Sequence, residues 1–393
     1  MGTGSISILF HAFPYGHSEG MQIASLVFMF LNLILFLVFS VVTLARYLLF
    51  PRVWQFMARH PVQSLYVGTF PMGATTILNI AVGVIHDHYG FGGKQILYLI
   101  WACWWANVAI SLTCCFGMLH FMKTAQKHSL ESMTAVWLLP VVTLVVASST
   151  GGVIATSLYN YNKSDAMITV VVSVFMVTVG LALSFMLLTI YLLRLIVYGL
   201  PPGATVLSVF LPLGPMGQAG YSILLIGQFF NKVLPLHKSN STLLTAETTG
   251  EIINVICTFV AFALWSLATM WIIFACLAVQ DVLRQTRIKF RVPFWGLIFP
   301  NGVYANLTIN LAGTFDSSFF RILGSIYAVA TLILWVFVAI RTVILVRRRT
   351  IFEAPCLEDV DIRQFNLRQN QCDAGSKPKS MATAISATTS NFN

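Results

Sequence analysis

The chain has 393 residues, 57% of them hydrophobic and 9% charged, with a mean hydropathy of +0.81. Soluble domains carry about a quarter charged residues, so this composition excludes an ordinary soluble domain and points to a bilayer. The net charge of +10 does not indicate a nucleic-acid partner, because the basic residues fall between apolar stretches rather than along one amphipathic face.

A span needs about 20 apolar residues to cross the hydrocarbon. In chain order, such runs predict spans over 22–45, 61–84, 96–121, 133–156, 166–197, 203–230, 249–279, 293–312 and 320–346. A short apolar piece, 1–13, precedes them, which makes an all-α membrane protein of ten helices with lipid around it. The transmembrane domain is expected over 1–349, followed by a cytoplasmic tail over 350–393. That tail is rich in Ser, Thr, Asn, Gln and Asp and has the composition of a disordered segment. Its Cys356 and Cys372, like the five cysteines within spans, form no disulfide or zinc spacing.

Lys and Arg concentrate on alternate connections, at Arg46, Arg52, Arg59, Lys123, Lys127, Arg194, Arg284, Arg287, Lys289 and Arg291, and again at Arg341 and Arg347 to Arg349. The opposite connections hold only Lys94, Lys163, Lys232, Lys238 and Arg321. This bias puts the richer side, and both termini, in the cytosol. The sequons at Asn162 ("NKS") and Asn240 ("NST") then lie outside as glycosylation candidates, whereas "NLT" at Asn306 falls inside a span.

Every odd-numbered span is interrupted: "MGTGS" at 1–5, "FPMG" at 70–73, "LLPVV" at 138–142, "LPLGPMGQAG" at 211–220 and "IFPNG" at 298–302. The even spans have no such break. Proline lacks an N–H and clashes with the carbonyl four residues back, and irregular backbone inside a membrane is tolerated only when buried in protein or lining a watery cavity. Five breaks at comparable depth suggest a helical hairpin repeated five times, with five inner helices around a pore and five outer helices facing lipid. Each break is expected to begin a half-helix whose free N–H groups favour anions. Polar and small residues gather beside the breaks: Asn79 after Pro71, Ser148, Ser149, Thr150 and Gly151 after Pro140, Gln218 after Pro215, and Asn301 after Pro300. They suit a path of neutral hydrogen-bond donors, and the small ones equally suit helix–helix contact.

These motifs resemble the tellurite-resistance/dicarboxylate transporter family, related to plant slow anion channels, and are most similar to its fungal sulfite efflux pumps. The matching pieces are "MGTGSISILFHAFPY", "HPVQSLYVGTFPMGATTILN", "WW" at 104–105, "WLLPVVTLVVASSTGG", "LGPMGQAGYSILL", "FPNG" and "FRILGSIYAV". The resemblance implies ten helices in five pseudo-symmetric hairpins, a homotrimer with one pore per subunit, and a plasma-membrane exporter of the small inorganic anion sulfite or bisulfite. It also implies a phenylalanine gate on the ninth helix, here Phe299 beside Pro300; Phe70, Pro71, Pro140 and Pro215, at the other breaks, complete the expected gate and pore set. A malate or other dicarboxylate transporter on the same scaffold is the alternative. Relatives carry residues ahead of "MGTG", so a truncated, non-transporting subunit is a third reading. Sulfite pumps place an acidic residue shortly after the paired tryptophans, where this chain has Asn107.

Other chemistry is sparse. Arg46 and Arg194 are expected to snorkel at cytoplasmic span ends, and "HDH" at 86–88 is expected in a solvated outer loop. Glu251, Asp316 and Arg321 lie near the outer boundary, the last two as an interfacial pair. No phosphate loop, nucleophile elbow or zinc-hydrolase motif is present, so no enzyme activity and no cofactor is indicated.

Overall fold

The computed structural model describes residues 1–15, 18–236, 241–285 and 288–350. The tail after 350 and the sequon Asn240 lie outside them. Among the described residues the secondary structure is entirely helical: α1 (Gly2–Ala12), α2 (Glu19–Leu49), α3 (Pro51–Arg59), α4 (Thr69–Ile80), α5 (Gly93–Thr124), α6 (Leu139–Leu158), α7 (Lys163–Tyr198), α8 (Leu213–Val233), a single turn α9 (Thr242–Thr245), α10 (Thr249–Gln285), α11 (Ile298–Phe315) and α12 (Ser318–Arg347). Eight of the helical stretches are long and apolar enough to cross a membrane. α1 is 11 residues long and α11 is 18.

Four helices begin in the same way. A 3-10 segment at Gln63–Gly68 leads into α4, one at Ala135–Leu138 into α6, one at Gly203–Phe210 towards α8, and one at Val292–Leu297 into α11. Pro71, Pro140, Pro215 and Pro300 are each the second or third residue of the α-helix that follows. In the first turn a missing N–H costs little, and the fixed φ of proline is already helical. The prolines therefore open α-helices after a tighter turn within the same stretch rather than interrupting a continuous α-helix. The expectation of bare half-helix ends is corrected accordingly. The N–H of Thr69 donates to Tyr66 O, that of Leu139 to Val136 O, that of Leu211 to Ser208 O and that of Ile298 to Trp295 O. The 3-10 carbonyls thus take up the first donors of each junction.

Helix contacts run from α1 to α4, α6, α8 and α11 and back to α1, closing a ring. The ring helices are parallel, as successive close approaches show. Gly4 meets Thr76 and Gly83 meets His11, at the same offset along α1 and the α4 chain; Gly2 meets Ile298 and Gly302 meets Ser5; Gly152 meets Leu225; Gly217 meets Val303 and Gly220 meets Leu307. The 3-10 segments also touch in sequence around one end. Contact is tight because glycine removes the side chain at these crossings: a Cβ on Gly68 would stand 2.7 Å from the Leu139 carbonyl oxygen. Small residues at such points let backbones approach closely in an apolar medium.

The remaining long helices lie outside this ring. α2 packs on α1, α5 and α7 on α6, α10 on α8, and α12 on α11. Their outward faces carry large exposed apolar side chains, such as Phe39, Ile196, Phe259 and Ile333, as lipid contact requires. A π-helical stretch, Ala81–His88, extends α4 at the end of the ring opposite the 3-10 turns.

Candidate functional site

The interior of the ring is built from α1, α4, α6, α8 and α11, and its polar groups come from hydroxyls and carboxamides. Gln218 of α8 donates through Nε2 to Ser149 Oγ of α6, and Ser149 donates in turn to Val146 O at 2.8 Å. Asn79 is buried on α4 with an Oδ1 that meets no hydrogen-bond partner. An unpaired buried polar atom costs about 1–3 kcal/mol, so water or a passing ligand is its natural complement. Phe299 is 5% exposed, in one apolar cluster with Leu297, Val303 and Tyr304, immediately before Pro300 at the junction of α11. Gly214, at the start of α8, is buried, yet a Cβ built on it meets no atom within 4 Å. It therefore borders internal space beside the Pro212–Pro215 junction.

Several residues expected on the path turn elsewhere. Phe70 is 43% exposed and stacks on Phe36 of α2, with ring centroids 5.1 Å apart; the first turn of α4 presents it to an outer helix. Ser148 donates to Ser173 O of α7 at 2.6 Å and shares a hydrogen bond with Ser222 of α8. A Cβ on Gly151 would collide with Ser173 Oγ and Trp104, so this glycine admits α7 and α5 against α6. Thr150 bonds back to Val146 O of its own helix, which is the usual way to satisfy a buried hydroxyl in a helix. Asn301 donates to Leu297 O at 2.6 Å and accepts from the Tyr327 hydroxyl of α12 at 2.6 Å. It lines a groove of about 1020 Å³ between α10 and α12, on the outer side of α11. Ser149, Gln218, Asn79 and Phe299 are buried on α6, α8, α4 and α11, and the four prolines lie in the first turns of those helices.

The sequence profile of the voltage-dependent anion channel (SLAC1) family matches residues 1–343. The chain belongs to this family. It is 34% identical over 343 residues to the sulfite efflux pump SSU1 of Trichophyton rubrum, covering 87% of this chain and 88% of that protein. The sulfite efflux pump SSU1 of Candida albicans is 27% identical over 368 residues, covering 88% and 72%. The malic acid transport protein of Schizosaccharomyces pombe is 22% identical over 342 residues, covering 86% and 74%.

In this anion-channel family member, several charged groups near the spans are fastened by hydrogen bonds or ion pairs. Arg194 does not snorkel. It is 5% exposed and its guanidinium donates to the carbonyls of Glu131 and Gly199, clamping two loops at the 3-10 end. "HDH" is a π-helical end rather than a loop: Asp87 and His88 are exposed, but His86 is buried, its Nδ1 is 2.6 Å from Asp87 Oδ1, and Asp87 also accepts from Ser157 at 2.8 Å. Asp316 and Arg321 pair at 3.0 Å as expected. Asn162 caps α7, its Oδ1 accepting from Ser164 N–H at 3.0 Å while Nδ2 donates to Asp165. Asn107 is buried on α5 with neither amide atom partnered.

Reading the sequence missed Gly214, Tyr221, Gln22, Asn310 and His11. For His11 a signal existed: Gly4, Ser7 and His11 recur at three and four residues and share one face of α1.

Proposed function

We propose that the chain exports sulfite or bisulfite through a channel-like anion path enclosed by α1, α4, α6, α8 and α11. In this reading the chain crosses the membrane with ten helices in five pseudo-symmetric hairpins, each ring helix followed by an outer one. The observation that carries it is the closed ring of parallel helices with recurrent 3-10–proline junctions, in a chain 34% identical to a sulfite efflux pump. Gln218, Ser149 and Asn79 offer neutral donors, with no Arg or Lys among them, which suits weak binding and rapid passage. Phe299 forms an apolar constriction at the α11 junction that must move or wet to pass an ion.

The chain carries no energy-coupling motif, and the membrane potential suffices for a monovalent anion. A potential negative inside drives one charge outward with about 2.3 kcal/mol per 100 mV. The reading places the protein in the plasma membrane as a homotrimer, with both termini cytosolic because Lys and Arg crowd the 3-10 end. Residues 1–349 form the transport domain and 350–393 its cytoplasmic tail. Sugars would attach at Asn162 and Asn240. A malate or other dicarboxylate exporter is the second reading, favoured by the match to the malic acid transport protein.

Sulfite efflux and survival in sulfite-sensitive fungal cells test this directly. Export by the full chain, with a faster leak in Phe299→Ala, is the expected result. Clear malate flux with no sulfite export would transfer the proposal to the second reading.

A further inference from the structure

At the end of the ring away from the 3-10 turns lies a cavity of about 570 Å³. It is lined by His11 of α1, Gln22 of α2, His88 at the end of the π stretch, Tyr221 of α8, and Asn306 and Asn310 of α11. This volume holds a small oxyanion together with several waters, each of which takes about 30 Å³. Among the described lining residues none is acidic. Asn310 Nδ2 donates to Asn306 O at 2.8 Å, which holds that part of the polar wall in place.

His11 is the group that can change character. Its Nδ1 lies 2.8 Å from Gln22 Oε1, and with that oxygen as acceptor the neutral ring keeps its proton on Nδ1. Nε2 then presents a lone pair. It sits beside Gly83, where a Cβ would stand 2.9 Å away, so the π stretch is shaped around this ring. A second proton converts Nε2 from an acceptor to a charged donor. The change matters here because the C-terminal turn of α1 borders the cavity, and a helix C-terminus carries about half a negative charge. With neutral histidines the backbone field opposes an anion; with a charged His11 it is offset.

Other titratable groups at this end, on elements packed against α1 or sharing the cavity, are few and mostly engaged. Glu19 lies in the first turn of α2, one turn before Gln22. His86 and Asp87 bond to each other, and Asp316 is held by Arg321. His88 stacks edge-on against Tyr89 and is exposed.

We propose that this cavity is a binding site for a small oxyanion, with His11 as its proton-dependent anchor and His88 as a second, weaker one. It deepens the anion-export reading and rests on it only for the direction of traffic: the cavity is an antechamber of the path.

The test uses purified full-length protein and radiolabelled sulfate, whose charge is constant between about pH 5.5 and 7.5. Equilibrium binding is measured across that range for the wild type, His11→Gln and His88→Gln, and sulfite flux is measured for the same proteins in liposomes. The expected result is saturable binding about tenfold tighter at the acid end, the scale of one added charge-assisted hydrogen bond. His11→Gln should lose most of that gain and His88→Gln a smaller part. If His11→Gln does not fold, a partial loss in His88→Gln still supports the site. No saturable sulfate binding, or binding whose pH dependence survives both substitutions, overturns it. Flux without such binding keeps the export reading and removes the cavity site. Binding without flux does the reverse.

Discussion

The stretch Ala135–Leu158 and the helix Ser318–Arg347 are both apolar enough to cross a membrane, yet they live in different solvents. In the most apolar part of the first, 94% of residues are buried within the protein; in the second, 11% are. The inner stretch carries Thr143, Ser148, Ser149, Thr150 and Ser157, all buried and all hydrogen-bonded. The outer helix spends its surface on Phe319, Ile326, Ile333 and Ile340, which meet lipid. Hydrophobicity alone does not separate a ring helix from a shield helix, because lipid and protein interior are equally apolar. What separates them is small size and paired hydroxyls on one side, bulk on the other.

Substitutions at close backbone approaches should break that contrast most forcefully. Gly68→Val places a Cβ against the Leu139 carbonyl, an atom that cannot rotate away. The cost should be at least the roughly 1–3 kcal/mol of overpacking, read as loss of folded protein or a clearly lowered Tm in detergent. Ile333→Ala, on a residue 64% exposed on α12, should stay within about 0.5 kcal/mol. Equal effects would erase the distinction between ring and shield.

The next largest effect concerns the two phenylalanines beside prolines. Phe299→Ala should raise anion leak about tenfold, corresponding to about 1.4 kcal/mol of barrier. Phe70→Ala should leave leak unchanged, because its ring lies on Phe36 of α2. Liposome flux on both variants sharpens the inner–outer comparison at two residues that the sequence motif makes look equivalent.

Asn107 sits where α5 meets the ring, with both amide atoms unpaired. Asn107→Leu should therefore raise Tm or leave it unchanged, the orphaned amide being worth about 1–3 kcal/mol. Asn107→Asp should lower Tm, since it buries a carboxylate without a partner. A lowered Tm in Asn107→Leu would mean that the amide is satisfied after all.

The smallest effect is expected at His128, in the loop between α5 and the 135–138 turn. Burial lowers its pKa from the ordinary 6.5. The folded state prefers the neutral ring, which bonds Gln126 Oε1 at 2.9 Å and stacks edge-on against Trp137. Stability is thus complete above the unfolded-state value and declines as pH falls through the lowered folded-state one. A modest acid-side drop in Tm, abolished in His128→Gln, is the expected outcome.

Much of this arrangement was legible in the sequence, and the gaps have physical causes. Pro71, Pro140, Pro215 and Pro300 announced the recurrent interruptions, because proline is costly in a continuous helix. Their form was hidden: a proline at mid-helix and one in the first turn after a 3-10 segment sit in the same apolar string. Facing directions were hidden as well. In a soluble protein, hydrophobic periodicity would have sent Phe70 and Asn301 to one side or the other; here both sides are apolar and the period is silent. The hydroxyl run at 148–151 divided between Ser149, which meets Gln218, and its neighbours Ser148 and Gly151, which meet α7. Arg194 read as a snorkelling end residue because its partners, two loop carbonyls, carry no sequence signature.

The central claim is that the ring encloses an anion path, and Gly214 offers the most direct access to it. Sulfite flux should be measured in liposomes containing the wild type or Gly214→Leu, with Tm recorded for both. A path through the ring predicts that the wild type conducts and that Gly214→Leu, filling open internal space, falls to background flux with Tm nearly unchanged. Wild-type flux persisting undiminished in a folded Gly214→Leu protein would contradict it.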